Sequence, residues 1–241
     1  NYIRLFLADD VFLKAVKNTF VFATITGPFS YFACFIFAWM INEFRPKIRA
    51  ILTLLFYAPA ISGNAFLVWT ILFSGDAYGY INGFLLQWGL ITEPIQWLDD
   101  PRYMMGVVIL VTLWSSLGTS FLVFIAGLQG IDETLYEAGA IDGVRNRWQE
   151  LWYLTLPSMR GYLMFGAIIS ITQCFAASSQ IIALVGFPCT DDAATTVVTH
   201  LIDYGNVRFE MGYACAIATL LFIVMVSLQQ IVQRLLRKVG E

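Results

Sequence analysis

Side chains able to do covalent chemistry are few and scattered. The sequence holds one histidine, His200, and four cysteines, Cys34, Cys174, Cys189 and Cys215. One histidine cannot build a histidine-based metal site or complete a serine–histidine–aspartate triad. At the edge of an apolar stretch, it reads as a surface or packing residue. The cysteine spacing fits neither a zinc motif nor a disulfide framework, and three of the four fall inside apolar runs, where cysteine acts as a small hydrophobe. No Gly-x-x-x-x-Gly-Lys-[Ser/Thr] run is present to cradle nucleotide phosphates, and neither His-Glu-x-x-His nor Gly-x-Ser-x-Gly occurs. No catalytic residue, metal ligand or cofactor is assigned.

The segment whose residue types and spacing point to chemistry is Gly130–Arg160, and that chemistry is recognition of another protein. Asp132 is placed to cap a helix. Leu135, Ala138 and Ile141–Asp142 then follow helical spacing, one face apolar and the other acidic. Gly143 ends the helix. A second helical pattern runs through Arg147–Tyr153, with Trp148, Leu151 and Trp152 expected on one side, and Pro157 sets the start of the next helix. A short helix with an apolar stripe, held out by a hairpin, fits a groove that reads anchors at helical spacing. The same pattern also fits a hairpin lying on its own membrane domain.

The elements that must position this hairpin are apolar. Of 241 residues 59% are hydrophobic and 13% charged, about half the roughly 25% charged residues of average soluble domains; mean hydropathy is +0.71. A helix needs about 20 apolar residues to cross the hydrocarbon core. Five charge-free runs supply that length: Thr19–Ile41, Ala50–Gly75 (interrupted by Pro59, Gly63 and Asn64), Tyr103–Gln129, Gly161–Val185 and Met211–Gln233. No short period-two segments indicate a barrel. The expected fold is an all-α polytopic transmembrane bundle forming one domain over residues 1–241, with 130–160 as a loop within it. Ala77–Thr92 and Ala193–Ile202 are too short to cross and read as surface or interfacial segments. The net charge of −3 argues against nucleic acid as a partner; membrane lipid is the expected surroundings.

Lys and Arg set the orientation. Arg45, Lys47, Arg49, Arg145, Arg147, Arg160, Arg234, Arg237 and Lys238 fall on one side, against Arg4, Lys14, Lys17, Arg102 and Arg208 on the other. The first side, with residues 130–160 and the C-terminus, is expected in the cytoplasm. The N-terminus is then outside, and an opening on Asn1 rather than Met is consistent with a further helix upstream. Proton- and ion-coupled carriers commonly hold charges inside their spans; these spans hold none, so the energy source is expected outside the membrane.

Glu137-Ala138-Gly139, Gly143 and Leu154-Thr155-Leu156-Pro157 resemble the EAA motif of permease subunits in bacterial ATP-binding-cassette importers. Gly139 stands where alanine is usual, Asp132 where proline is frequent, and one residue more than the family spacing lies between Gly143 and Leu154. Asn18-Thr19, Pro59, Trp69, Asn82, Trp97 to Pro101, Trp114, Ala126 to Gln129 and Met211 to Ala214 extend the resemblance over most of the chain, nearest to the MalF-like sugar and glycerol-phosphate permeases.

The resemblance implies a MetI/MalF-like permease fold and work with two ATPase subunits, a second permease subunit and an extracytoplasmic solute-binding protein. It implies that the ATPase docks on Glu137, Ala138, Gly139, Asp142 and Gly143, with Leu156 and Pro157 closing the motif. It also places the solute path along the fourth span, where Thr172, Gln173, Ser178, Ser179 and Gln180 offer hydrogen-bonding groups; Ser179 stands near an aspartate frequent in the family, and Ile182 replaces a tyrosine. Such residues equally make hydrogen bonds between helices. A self-contained carrier or channel would show inverted repeats and paired broken helices, of which the sequence gives none. A membrane scaffold would present the hairpin to some other partner.

Overall fold

The computed structural model describes residues 1–62 and 65–237. Among them every regular element is helical: α1 Tyr2–Leu7, α2 Asp10–Asn42, α3 Pro46–Ile61, α4 Ala65–Leu72, α5 Tyr80–Gln87, α6 Pro101–Trp114, α7 Thr119–Gln129, α8 Glu133–Ile141, α9 Arg147–Glu150, α10 Leu156–Ser158, α11 Arg160–Phe175, α12 Ser179–Val185, α13 Val197–Ile202 and α14 Met211–Arg237. π-helical turns occupy Leu151–Thr155 and Asp203–Val207.

The first and fifth predicted runs lie within the long unbroken helices α2 and α14. The other three are broken, which apolarity alone does not reveal. The second run divides into α3 and α4, bent by 76°; of its predicted interruption Pro59 lies in the last turn of α3, while Gly63 and Asn64 lie outside the described residues. The third run is interrupted over Ser115–Gly118, yet α6 and α7 together make a 29-residue span, Pro101–Gln129. There the hydroxyls of Ser115 and Ser116 turn back onto the carbonyls of Val111 and Leu113 at 3.1 and 2.7 Å, competing with the helical ladder.

The fourth run, expected as one helix from Gly161 to Val185, instead ends at Phe175 and resumes at Ser179. Its lower end also bends, since Arg147–Ser158 and Arg160–Phe175 meet at 79°. Among the described residues three helical stretches, α2, α6 with α7, and α14, are long and apolar enough to cross a membrane, and counting each bent pair as one span gives five.

The bundle is built on α11, which packs against α2, α7 and α14. At the hairpin end Cys34, Ala38, Phe121, Phe124, Leu151 and Met159 form one buried cluster. The apposition is close enough for Ser120 and Ser170 to share a hydrogen bond at 3.1 Å and for the Tyr31 hydroxyl to donate to the Leu163 carbonyl at 3.1 Å. In lipid, where helices gain little from leaving the solvent, such close packing and polar contact hold them together.

The opposite end is tied by buried amides and one carboxylate. Asn82 donates to the carbonyls of Ser74, Asp76 and Ile95 and accepts from Trp97 Nε1 at 2.8 Å. Asn18 donates to the carbonyls of Asp192, Ala193 and Thr195, while Thr19 Oγ1 accepts from the Val197 N–H at 2.9 Å. These bonds make Ala193–Ile202 a buried segment rather than the surface one expected: Ala194, Val197, Thr199 and His200 are all buried. The ring of His200 meets Asp9 Oδ2 at 2.9 Å, and the same oxygen accepts from the Tyr213 hydroxyl at 2.6 Å. His200 is therefore an interior, hydrogen-bonded packing residue and not a surface one; its partner lies too far away in the sequence for spacing to reveal. Ala77–Thr92, by contrast, forms the short surface helix α5, with Tyr80 and Trp88 exposed.

Candidate functional site

The hairpin begins at α8. The Asp132 carboxylate accepts the Thr134 N–H at 3.0 Å; that backbone hydrogen bond holds its pKa below the ordinary carboxylate value. The C-terminus closes as a Schellman motif. The Val144 N–H reaches the Gly139 carbonyl at 2.9 Å, the Gly143 N–H reaches that of Ala140 at 3.4 Å, and Gly143 takes the left-handed φ of +97° that this motif needs.

The inner face of α8 rests on the second arm. A Cβ at residue 139 would come within 2.6 Å of Leu154 Cδ1, so Gly139 allows the two arms to touch, and Tyr136 Oη meets Thr155 Oγ1 at 3.1 Å. Leu135, Ala138 and Ile141, three apart, remain on the outside, Ile141 with 87% of its surface exposed. The outer end of the apolar stripe, Ile141, thus stands clear of the membrane domain, while Leu135 and Ala138 border it. Beside it a recess of about 480 Å³, lined by Leu135, Ala138, Ser158 and Tyr162, runs to the foot of α11.

The second arm passes through the π turn Leu151–Thr155. An extra residue in a helix either rotates everything beyond it by about 100° or is taken up as one wide turn. Here the wide turn lies over Leu151–Thr155, within the stretch whose spacing was expected to exceed that of the resembled motif by one residue. Leu151, Thr155 and Met159, four apart, are all buried. Trp148 and Trp152, expected on the same side as Leu151, instead face outward. The arm is fastened to the end of the first span: Arg147 pairs with Glu43 at 2.7 Å and with Glu150 at 2.8 Å, and the rings of Trp39 and Trp148 lie 5.5 Å apart.

The seven motif residues therefore divide. Glu137 and Ala138 on α8 and Asp142 at its C-cap are exposed; Gly139 and Gly143 shape the hairpin; Leu156 and Pro157 sit at the elbow, partly buried.

The fourth-span candidates do not converge on one cavity. Thr172 Oγ1 accepts from Gln229 of α14 at 3.2 Å, Gln173 and Ser179 are exposed, and Ser178 lies in the break between α11 and α12. Gln180 turns inward, and its Oε1 is buried without a partner. Trp69 Nε1 and Thr112 Oγ1 are in the same condition. Their three helices, α4, α6 and α12, belong to one packed group. Thr112 was not a sequence candidate, since a threonine in an apolar span usually bonds its own backbone.

Residues 11–240 match the family of binding-protein-dependent transport system inner membrane components. The lactose transport system permease protein LacF of Rhizobium radiobacter is 32% identical over 172 residues, 70% of this chain and 56% of that protein, so the match spans little more than half of that relative. The probable ABC transporter permease protein YesP of Bacillus subtilis is 31% identical over 231 residues, 93% of this chain and 72% of that one. A chain in the crystal structure of a bacterial ABC transporter involved in the import of alginate superposes with a TM-score of 0.83 at 23% identity, covering 100% of this chain and 83% of that chain; at that identity the likeness speaks for the fold. By the extent of the family match, the chain belongs to the inner membrane components of binding-protein-dependent transport systems.

Proposed function

We propose that the chain is a transmembrane permease subunit of an ATP-binding-cassette importer. It passes a carbohydrate-type solute (a sugar, an oligosaccharide or a glycerol-phosphate ester) handed over by an extracytoplasmic binding protein. It pairs with a second permease subunit and draws its energy from partner ATPase subunits. The solute class is supported by the lactose-transport relative and by spans whose polar groups are uncharged.

The observation that carries this reading is α8. Its outer stripe of Leu135, Ala138 and Ile141 is offered to a partner, while its inner face is locked to the arm that leads into α11. A helix so held transmits displacement rather than absorbing it. An ATPase that binds one hairpin position better than another can then bias the bundle, which is the thermodynamic requirement for driving it. On this reading residues 130–160 and the C-terminus are cytoplasmic, and Glu137, Ala138 and Asp142 touch the ATPase.

The solute path runs along the exposed side of the breaks in the second, third and fourth spans, where Gln173, Ser178 and Ser179 are accessible to a solute held between two permease chains. Trp69, Thr112 and Gln180 line it from behind; a buried polar atom without a partner costs about 1–3 kcal/mol, and rearrangement towards a solute hydroxyl would recover that cost.

The test is an Ile141→Cys variant in the reconstituted transporter, treated with a thiol crosslinker. It should yield a permease–ATPase adduct whose amount changes on nucleotide binding, whereas the native chain, whose exposed Cys215 lies on α14, should yield none. No adduct from Ile141→Cys in an active complex refutes the docking.

A further inference from the structure

The second arm of the hairpin carries exposed aromatic rings, of which one edge, Trp148, meets Trp39 of the bundle and the rest has no use in the ATPase reading. Trp148, Trp152 and Tyr153 are 70%, 68% and 67% exposed, while Leu151 and Thr155 of the same arm are buried. Two observations fix where these rings lie. The segment Arg147–Ser158 meets the Arg160–Phe175 helix at 79°. Since the latter packs lengthwise among the spans α2, α7 and α14, the arm runs along the membrane surface and not into it. Its depth follows from Trp39, whose ring lies 5.5 Å from that of Trp148. Trp39 stands in the last turn of α2, which ends at Asn42, where the first charge-free run gives way to Glu43, Arg45 and Lys47. Trp148 is therefore level with the boundary between hydrocarbon and water.

We infer that Trp148, Trp152 and Tyr153 seat the second arm of the hairpin in the headgroup–acyl boundary of the bilayer leaflet on the hairpin side. Tryptophan and tyrosine favour that layer because one end of each ring system is apolar and the other hydrogen-bonds. The arm, with Leu151 and Thr155 buried and its aromatic rings exposed, has the build of a helix lying in the interface plane. Exposed Arg45 and Lys47 on the adjoining segment would meet anionic headgroups beside it. The consequence is mechanical: the foot of the hairpin is held at a fixed depth, so α8 moves about that foot and its displacement passes to α11 through the Met159 elbow.

The test uses the assembled transporter in vesicles of phosphatidylethanolamine and phosphatidylglycerol, with and without lipid brominated high on the acyl chain. The fluorescence of Trp152→Phe, subtracted from that of the native complex, isolates Trp152 without disturbing the Trp39–Trp148 contact; Trp148→Phe and the double variant follow as further readings, each confirmed as assembled by size exclusion. The inference expects the difference emission to lose most of its intensity to brominated lipid and little to aqueous iodide, with or without the ATPase subunits. Quenching by iodide and none by brominated lipid would overturn it. So would shielding from iodide that appears only when the ATPase is bound, since the face would then be a protein contact. The lipid reading is independent of whether α8 docks on the ATPase.

Discussion

Arg147 and Glu43 form an ion pair of 2.7 Å between the second arm of the hairpin and the residue that follows the first span. Both side chains are well exposed, so the pair adds about 0–1 kcal/mol to stability at most. Its position gives it a different importance: under the proposed function it would link hairpin movement to α2. Arg147→Ala and Glu43→Gln should leave the melting temperature almost unchanged, while each lowers binding-protein-stimulated transport by about two- to tenfold, the range of a coupling element. The charge-swapped double variant Glu43→Arg with Arg147→Glu should recover part of the loss. Unchanged transport in both single variants would show that the pair carries no coupling.

Gly143→Ala places a Cβ on a residue with φ of +97°, at a cost of about 1–2 kcal/mol. The Schellman closure of α8 loosens, while the bundle core is not involved. The expected outcome is normal insertion and normal thermal stability of the membrane domain, with protease sensitivity gained between α8 and α9 and weaker ATPase retention on purification. Gly143→Asn should be milder, because asparagine tolerates the left-handed region. Equal behaviour of all three chains would dismiss the strained cap as a requirement.

The π turn makes a prediction about deletions. Removal of Tyr153 should convert Leu151–Thr155 to an ordinary α-helical path and leave the protein folded, since the turn contains one residue in excess. Removal of Ala167 from α11 should rotate everything beyond it by about 100° and prevent assembly. Yield of monodisperse protein in detergent separates the two; if both deletions fail alike, the wide turn is not an accommodated insertion.

Much of this was legible in the sequence. Freedom from charge over about 20 residues locates a span, and the hairpin follows from Asp132, the stripe Leu135–Ala138–Ile141 and Gly143. The breaks at Ser115–Gly118 and Ala176–Ser178 were not legible, because they are made of small apolar and hydroxyl residues that hydropathy counts as span. The burial of Ala193–Ile202 was hidden for another reason: Asn18 and Thr19, which pin it, lie 174 to 178 residues away in the chain. The exposure of Trp148 and Trp152 beside the buried Leu151 depends on which way the arm leans, which periodicity alone leaves open.

Asp9 is the other long-range device. Burial would raise its pKa, but hydrogen bonds from the Tyr213 hydroxyl, the Phe12 N–H and His200 outweigh it, and the net shift is downward from the ordinary 3.8. A lowered carboxylate contributes stability that is complete above its ordinary pKa and is lost as pH falls through the lowered value. Thermal stability should therefore owe nothing to Asp9 titration between neutrality and mild acid, and should fall only below the ordinary carboxylate range. Asp9→Ala should cost about 2–5 kcal/mol at any higher pH, from buried donors left without an acceptor and a lost cap at Phe12. Thermal unfolding in detergent as a function of pH checks both statements; an Asp9→Ala chain as stable as the native one would contradict them.

The most direct measurement of the central claim is the affinity of the permease complex for its ATPase subunits, native against Ile141→Asp. Ile141 lies at the outer end of the α8 stripe and touches nothing that holds the bundle together, being 87% exposed. Burying an unpaired carboxylate in an apolar groove costs at least about 2 kcal/mol, so affinity should fall by about thirtyfold or more while the melting temperature and monodispersity of the membrane domain stay as they are. An unchanged affinity would mean that α8 does not dock on the ATPase.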